Sequence, residues 1–339
     1  MFNNVEAIVK KGVDDKAFPG GHFCLIENGE IKCSYYGNKQ LYPEVIPLKG
    51  DEIYDIASLS KIISTTTLII KLIESKKLSY DTKVKDILPK YFNEETTILN
   101  LLNHNSGLNP LIKNANLVSS KEEVINQIYE ERFVYEPETK IVYSDTGYML
   151  LGFIAEKLYD MPINVAAEKY IFKPLEMNDT TYRPSKDRAV PTEFRDDKLY
   201  KGYAVGVVHD ERAYLLSGLS GHAGLFSTAK DIAKFIKSFL EDERIFSNET
   251  KDLIFNTTYY SKDLSGDEIV RSIGYQKFIT FKHTNDYVIT HTGFTGCNMW
   301  IDKKNKRGFV LLSNGVHPNR KDNRVFPYRN EIFKLFYEN

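Results

Sequence analysis

Several features are scarce in this 339-residue sequence. Glycine and proline number only 20 and 12, which argues against a fibrous or low-complexity chain. The 45 basic residues nearly balance the 46 acidic ones, and a formal net charge of −1 offers no basic surface to attract phosphates or anionic lipids. The composition therefore argues against nucleic acid and membrane surfaces as partners.

Cysteine is also rare, with Cys24, Cys33 and Cys297 as the complete set. They form no Cys-x-x-Cys pair, so a zinc ribbon or a thioredoxin-type site has no support. Cys24 and Cys33 lie in strand-like stretches, where we expect small buried thiols. The low count fits a reducing compartment.

Long apolar runs are missing as well. The N-terminal segment has no apolar core of the length that a signal peptide needs, so we expect a cytoplasmic protein. The most apolar stretch, residues 62–73, is interrupted by serine, threonines and lysine, and it does not predict a membrane span.

The hydrophobic periodicity indicates β-rich ends and a mainly helical middle. Two strand-like runs flank Asn28-Gly29, a typical hairpin turn, because both positions tolerate positive φ. After residue 270, the runs IGYQKFITF, YVITH, NMWID and GFVLLSN predict an antiparallel meander. Helical patterns fall between these ends, at residues 59–73, 97–104, 120–131 and 146–159.

This distribution predicts an α/β (α+β) fold. An antiparallel sheet flanked by helices would be built from residues 1–57 and 205–339, and a mainly helical domain, residues 58–204, would be inserted into it. The chain shows no internal repeat and no linker.

Two Ser-x-x-Lys spacings carry candidate chemistry. On a helix, residues three apart share a face, and a desolvated lysine can then take the proton of a serine nucleophile. Ser227 and Lys230 surround Thr228, which with Asp231 is typical of a helix cap, so capping explains that pair. Ser58 precedes the most apolar helix of the chain, where Lys61 would be desolvated; an ordinary N-cap serine is the alternative.

Two further motifs stand before a helix and at a strand end. Tyr143 and Asp145 flank Ser144 ahead of an apolar helix. In one interpretation, Tyr143 is a phenol that shuttles a proton and Asp145 is a polar partner for a lysine. In the other, Tyr143 is a packed tyrosine and Asp145 is the N-cap of the helix. His291, Thr292 and Gly293 end a strand, as a ligand-binding edge or as a turn with an incidental histidine.

Common metal and nucleotide signatures are absent from the sequence. It contains no His-Glu-x-x-His, no phosphate-binding P-loop and no Gly-x-Ser-x-Gly elbow. His209 and His222 could share a metal ion, although isolated histidines are more often hydrogen-bonded structural residues. We expect no metal site.

In combination, Ser-x-x-Lys at 58, Tyr-x-Asp at 143 and His-Thr-Gly at 291 resemble the three active-site motifs of the serine β-lactamase and penicillin-binding-protein superfamily. A second motif that begins with tyrosine is similar to that of the class C β-lactamase-like branch, which includes D-alanyl-D-alanine carboxypeptidases, D-aminopeptidases and esterases. The resemblance covers residues 5–335 and includes four further segments: AFPGG at 17–21, LLNHNSGL at 101–108, VVHDERAY at 207–214 and GHAGLFSTAKDIAKF at 221–235.

The resemblance implies a β-lactamase/transpeptidase-like fold with the active site between the sheet and the helical domain. Ser58 would be the acylated nucleophile, and Lys61 and Tyr143 would share the role of base as a coupled pair. The N–H groups of Ser58 and Phe294 would form the oxyanion hole. His291, Thr292 and Gly293 would line the substrate, and no cofactor would be needed.

Two positions depart from the family pattern. Asp145 stands where the family more often has asparagine, and an acid there would keep Lys61 protonated and shift the role of base towards Tyr143. His291 stands where β-lactamases usually have lysine, which lowers the positive charge available to a substrate carboxylate. If His291 takes part, activity should change near its unperturbed pKa of about 6.5.

The sequence thus predicts a serine hydrolase that forms a covalent acyl-enzyme with an ester, an amide or a β-lactam, and that acts on a small molecule or short peptide. It leaves carboxypeptidase-, D-aminopeptidase- and esterase-like activities open. The alternative is a penicillin- or peptide-binding sensor protein on the same scaffold that does not turn over. The oligomeric state is not readable from the sequence.

Overall fold

A computed structural model describes residues 1–112, 117–279 and 287–337, and for residues 278, 279 and 287 it describes the backbone alone. The strands in chain order are β1 Gly20–Glu27, β2 Glu30–Gln40, β3 Ile46–Pro47, β4 Tyr54–Asp55, β5 Phe194–Asp196, β6 Lys201–Tyr203, β7 Phe226–Ser227, β8 Tyr259–Lys262, β9 Glu268–Arg271, β10 Gln276–Ile279, β11 Tyr287–Thr292, β12 Asn298–Asp302 and β13 Arg307–Ser313. The helices are α1 Phe2–Asp14, α2 Thr67–Glu74, α3 Val84–Ile87, α4 Ile98–Leu102, α5 Lys121–Glu130, α6 Asp145–Tyr159, α7 Ile163–Ala167, α8 Glu211–Leu215, α9 Ala229–Glu241, α10 Asn248–Asn256 and α11 Phe326–Tyr337.

Nine strands form one antiparallel sheet in the order β3-β2-β1-β13-β12-β11-β10-β9-β8. The β1–β2 hairpin turns at Asn28-Gly29, as predicted, and residues 21–27 of β1 pair with β13 near the other end of the chain. The predicted meander corresponds to β10–β13, with residues 280 and 281 of its first run outside the described residues. The fold class is therefore confirmed, whereas the domain bounds at 57/58 and 204/205 stay a prediction.

Each face of the sheet buries its own apolar core. On one face, α1 and α11 cover Phe23, Trp300 and Phe309. On the other face, α9 and the helical middle of the chain cover a larger set, which includes Ile289 and Met299. Because successive strand residues point to opposite faces, His291 lies on the side of the larger core.

The expectation for two cysteines was wrong, because Cys24 and Cys33 form a disulfide. The two residues are direct partners in the register of β1 and β2. Cys24 is fully buried, whereas Cys33 is exposed. Sequence reasoning missed the bond because the predicted Asn28-Gly29 turn was not carried through to the hairpin register, which pairs residue 24 with residue 33. Cys297 remains a buried free thiol.

The central helix departs from regular α geometry. Its first part, Lys61–Thr66, is a π-helical segment that leads into α2. Three threonines, which are poor α-helix formers, lie at the end of this segment and the start of α2 and satisfy their hydroxyls: Thr65 donates to the Gly221 carbonyl, Thr66 bonds Tyr148, and Thr67 donates to the Ile62 carbonyl. Burial and these hydrogen bonds override helix propensity.

No helix among the residues described is long and apolar enough to cross a membrane.

Candidate active site

Ser58 follows the short strand β4 at a constrained turn. Ala57 adopts φ +46°, a region that non-glycine residues rarely enter, and its N–H donates to Asp55 Oδ1 over 2.8 Å. The other oxygen of Asp55 accepts the His209 N–H at 2.7 Å. The buried Asp55 carboxylate therefore fixes the turn that presents Ser58 to the cleft.

Lys61 lies one turn further along and is fully buried. Its Nζ is 3.0 Å from Ser58 Oγ, 2.9 Å from the His222 carbonyl oxygen and 2.7 Å from Asp145 Oδ1. Burial by itself lowers the pKa of Lys61, but the charges of Asp145 and Tyr143 outweigh it and raise that pKa above its ordinary value. Lys61 is therefore held as an ammonium, as the aspartate at 145 predicts.

Tyr143 completes a triad of groups with Ser58 and Lys61. The ring is 40% exposed to the cleft, and Lys61 Nζ lies 4.8 Å from its centroid. Desolvation raises the pKa of the Tyr143 hydroxyl, while the Lys61 charge and hydrogen bonding to Lys61 and Ser58 oppose the rise. The three sequence-predicted residues thus meet at one point.

His104 supports Tyr143 from behind, a role that the sequence analysis did not assign. Its ring lies 4.8 Å from the Tyr143 ring and stacks on Tyr148 at 5.0 Å. Nδ1 accepts the Ser144 N–H, so the proton of the neutral ring resides on Nε2. Burial lowers the pKa of His104 well below its usual value. The segment LLNHNSGL was the available signal.

Two adjacent residues at the start of α6, Ser144 and Asp145, have different roles. Ser144, not Asp145, is the N-cap, and its hydroxyl accepts the Gly147 N–H. The alternative that Asp145 is present only as a cap is therefore wrong. Asp145 is free to pair with Lys61.

The end of β11 packs directly against the turn that carries Ser58. A Cβ on Gly293 would lie 2.5 Å from the Ile56 carbonyl oxygen, so only glycine permits this approach. Thr295 Oγ1 donates to the Asp55 carbonyl at 2.7 Å. Within the described residues, neither Ser58 nor Phe294 uses its backbone N–H in a backbone hydrogen bond, as an oxyanion hole requires.

His291 faces the same cleft, with its ring 5.8 Å from that of Tyr143. Nδ1 is 2.8 Å from the Thr292 carbonyl oxygen, so it carries the proton and leaves Nε2 as an acceptor. Burial, with help from the Lys61 and Arg271 charges, lowers the pKa of His291 to about 3. The expectation of a titration near pH 6.5 is therefore not supported by this environment.

The cleft around these residues has a volume of about 630 Å³. The sequence analysis missed Arg271 at the end of β9, which lines the cleft beside Gln276 and His291 and is only 4% exposed. Its Nε and Nη2 have no hydrogen-bond partner among the described residues. No sequence signal marks Arg271, because the hairpin register alone brings it to the cleft.

The two histidines considered as metal ligands have separate partners. His209 Nε2 is 2.9 Å from Glu193 Oε1, and His222 Nε2 is 2.9 Å from Asp210 Oδ1. Asp145, Asp210 and His222 could each direct one ligand atom into a space 4.8 Å across. However, the Lys61 ammonium already neutralises Asp145 there, and its positive charge disfavours a cation.

A nucleophile–lysine–tyrosine cluster between an antiparallel sheet and a helical region defines a class of serine hydrolases. The family model described as "Beta-lactamase" matches residues 5–333, so the chain belongs to the beta-lactamase family. Its function is that of a serine hydrolase on this scaffold.

Two relatives with known names are similar to this chain over most of its length. The chain is 28% identical to an N-acetylmuramyl-L-alanine amidase of Bacillus subtilis strain 168, over 88% of this chain and 78% of the relative. It is 27% identical to a protein of Escherichia coli K12 that is named for D-alanyl-D-alanine carboxypeptidase activity, over 89% of this chain and 80% of the relative.

Solved structures share the fold. A D-amino acid amidase from Ochrobactrum anthropi superposes with a TM-score of 0.78 at 20% identity, with 99% of each chain covered. A class C beta-lactamase from Rhodobacter sphaeroides gives a TM-score of 0.76 at 19% identity, over 98% of this chain and 99% of that one. At these identities the likeness concerns the fold.

Proposed function

We propose that this protein is a serine amidohydrolase that cleaves an amide bond in a small peptide-like substrate carrying a carboxylate, through an acyl-enzyme on Ser58. The observation that carries the proposal is the 3.0 Å contact between Ser58 Oγ and the buried Lys61 Nζ, with Tyr143 in reach of both. The names of the relatives, an amidase and a carboxypeptidase, support an open-chain amide over an ester or a β-lactam.

In the first half-reaction, Ser58 Oγ attacks the carbonyl carbon and gives its proton to the Lys61–Tyr143 pair. The developing oxyanion is held by the N–H groups of Ser58 and Phe294. The C–N bond then breaks, and the proton passes from the pair to the leaving amine. In the second half-reaction, water attacks the ester, its proton passes through the pair, and Ser58 Oγ leaves with a proton.

The charge of Lys61 decides which member of the pair is the base. Because Asp145 lies 2.7 Å away, Lys61 keeps its proton, and the pair loses its next proton from the Tyr143 hydroxyl. The ammonium then stabilises the phenolate. Tyr143 is therefore assigned as the base, and Lys61 as the fixed charge that orients and stabilises it.

The proposed substrate carboxylate is assigned to Arg271. A guanidinium that is buried, without a partner on two of its nitrogens and open to the cleft, is suited to a planar anion. This charge replaces the one that His291 fails to supply, because His291 is neutral at physiological pH. The departure at 291 is thus compatible with an acidic substrate.

A mass-spectrometric screen tests the proposal. Incubation with N-acyl dipeptides that end in a free D-amino acid carboxylate, p-nitrophenyl esters and a chromogenic β-lactam should give an adduct on the Ser58 peptide and steady-state release of product from the dipeptides. Ser58→Ala should remove both, whereas Ser227→Ala, in the second Ser-x-x-Lys spacing, should remove neither. An adduct without turnover would instead support the alternative of a binding or sensor protein.

The compartment is also a matter for experiment. The cytoplasmic expectation stays a prediction, and the disulfide between Cys24 and Cys33 favours oxidising surroundings instead. Counting free thiols in protein trapped with an alkylating agent in its source cells distinguishes the two, since one free thiol indicates an oxidising compartment and three a reducing one.

A further inference from the structure

A second cavity lies on the face of the sheet opposite the cleft. It has a volume of about 160 Å³ and is enclosed by β11, β12 and α11, with Thr290, Asn298 and Trp300 on the strands and Arg329 on the helix. Trp300 belongs to the core under α1 and α11, whereas the cleft opens on the other side. The two cavities are therefore separate, and Thr292 at the end of β11 borders both.

Three polar side chains around this cavity have buried atoms with no hydrogen-bond partner in the described part of the chain: Asn298 Oδ1, Trp300 Nε1 and Arg329 Nε. Asn298 is 8% and Trp300 2% exposed. Buried polar groups normally find partners, because an unpaired one costs roughly 1–3 kcal/mol. Three of them around one cavity indicate a ligand that supplies the missing partners.

The charge of Arg329 specifies an anion. Burial lowers the pKa of Arg329 to about 10, and no carboxylate is among the charges that act on it. Arg329 Nη2 donates to the Gly293 carbonyl oxygen at 3.4 Å. Arg329 Nε and Trp300 Nε1 are donors, which a carboxylate accepts, and Asn298 Oδ1 is an acceptor, which needs a donor on the ligand.

We infer that this cavity binds a small α-amino or α-hydroxy carboxylate. A cavity of this size holds roughly six non-hydrogen atoms, by comparison with a benzene-binding cavity of about 150 Å³. The rings of Trp300 and Phe326 give the side chain of such a ligand an apolar surface. A short α-amino acid supplies the carboxylate, the neighbouring donor and the small apolar group together.

Occupation of the cavity is coupled to the oxyanion hole. The Gly293 carbonyl that accepts from Arg329 belongs to the same peptide unit as the Phe294 N–H, and the two groups point in opposite directions. A carboxylate on Arg329 weakens its pull on that carbonyl, so the Phe294 N–H becomes a weaker oxyanion donor. An amino acid released by the reaction would then lower kcat from outside the cleft, a consequence that rests on the proposed function.

Calorimetry tests the site without any turnover. The Ser58→Ala, Arg271→Gln double variant removes the nucleophile and the cleft cation, and we expect it to bind D-alanine, L-alanine or D-lactate at one site. Adding Trp300→Phe or Asn298→Asp should weaken that binding by at least about tenfold. Thermal unfolding of each variant confirms that it is folded.

Four outcomes would overturn the inference. The first is that no saturable binding is seen, the second that binding is lost with Arg271→Gln alone, and the third that binding is unchanged in both cavity variants. The fourth is that propionate, which lacks the donor, or D-alaninamide, which lacks the carboxylate, binds as tightly as D-alanine. In the active protein, D-alanine should lower kcat, and Trp300→Phe should abolish this effect while it preserves the basal rate. Failure of the activity alone leaves the calorimetric result intact, so the two proposals fail separately.

Discussion

At the scale of single residues, Asp145 sets the charge state of the catalytic pair. Its carboxylate raises the pKa of Lys61 and also that of Tyr143. Both effects keep the pair protonated at neutral pH, although the base must be deprotonated before it accepts the Ser58 proton. We therefore expect kcat/KM to rise with pH on the alkaline side.

Asp145→Asn should move that alkaline limb to lower pH by about one unit or more, because it removes the carboxylate whose negative charge raises the pKa of both Tyr143 and Lys61. The measurement is a profile of kcat/KM from pH 5 to 10. Ser144→Ala is the matched control: it removes the cap of α6, costs about 1 kcal/mol of stability and should leave the limb in place. A limb that does not move in Asp145→Asn would exclude Asp145 from control of the pair.

Arg271 is the residue that we expect to set the preference for a substrate with a free carboxylate. Arg271→Gln should raise KM roughly 10- to 100-fold for a dipeptide that ends in a free carboxylate, since a charge-assisted hydrogen bond contributes about 1.5–3 kcal/mol. The same dipeptide ending in an amide should be affected little. Arg195→Gln, at an equally buried arginine away from the cleft, should leave the ratio of the two KM values unchanged. Equal losses for both dipeptides would contradict the assignment.

At the scale of elements, the β1–β2 hairpin is closed by a covalent bond. Cys24 and Cys33 enclose a short loop, and the chain-entropy relation gives a stabilisation of up to about 3 kcal/mol for a loop of that length. Reduction should lower the urea midpoint of unfolding without a change in the fold. The Cys24→Ser, Cys33→Ser variant should show the same midpoint with and without reductant. If the urea midpoint of the native chain is the same with and without reductant, the disulfide does not stabilise the fold.

At the scale of the whole molecule, a charged cluster ties distant segments together. Glu193 bonds His209 Nε2 at 2.9 Å and Arg320 Nε at 2.7 Å, so it joins the middle of the chain to the segment before α11. Burial alone would raise the pKa of Glu193, but these two partners lower it to about 2. A carboxyl with a depressed pKa stabilises the fold above its unfolded value of 4.5 and loses that contribution as the pH falls towards 2.

Glu193→Gln should therefore reduce the pH dependence of unfolding between about pH 4.5 and 2, and it should lower stability at neutral pH. Urea unfolding over that range measures both effects. Glu268→Gln, at an exposed strand position, is the control and should change neither. An unaltered acid slope in Glu193→Gln would show that the cluster does not contribute to acid sensitivity.

The local elements and the order of motifs were accessible from the sequence. The Asn28-Gly29 hairpin, the Thr228 cap with Asp231 and the apolar helix after Tyr143 depend on neighbouring residues, and all three were predicted. The spacing of Ser58 and Lys61 also needs only one helical turn. Local hydrogen bonding and periodicity suffice for such features.

Other features depended on which side chains the folded chain brings within bonding or contact distance. The register of β1 and β2 decided that Cys24 and Cys33 would be bonded, and the register of β9 and β10 placed Arg271 in the cleft beside Gln276. Burial decided the charge of His291, which the sequence left at its ordinary pKa. The scarcity of cysteine argued against a zinc ribbon or a thioredoxin-type site, and the low net charge argued against nucleic acid and membrane surfaces as partners. Neither observation bears on the disulfide, on Arg271 or on the charge of His291. Electrostatics and covalent bonding act across space, and the tertiary structure alone fixes which groups are near enough to interact.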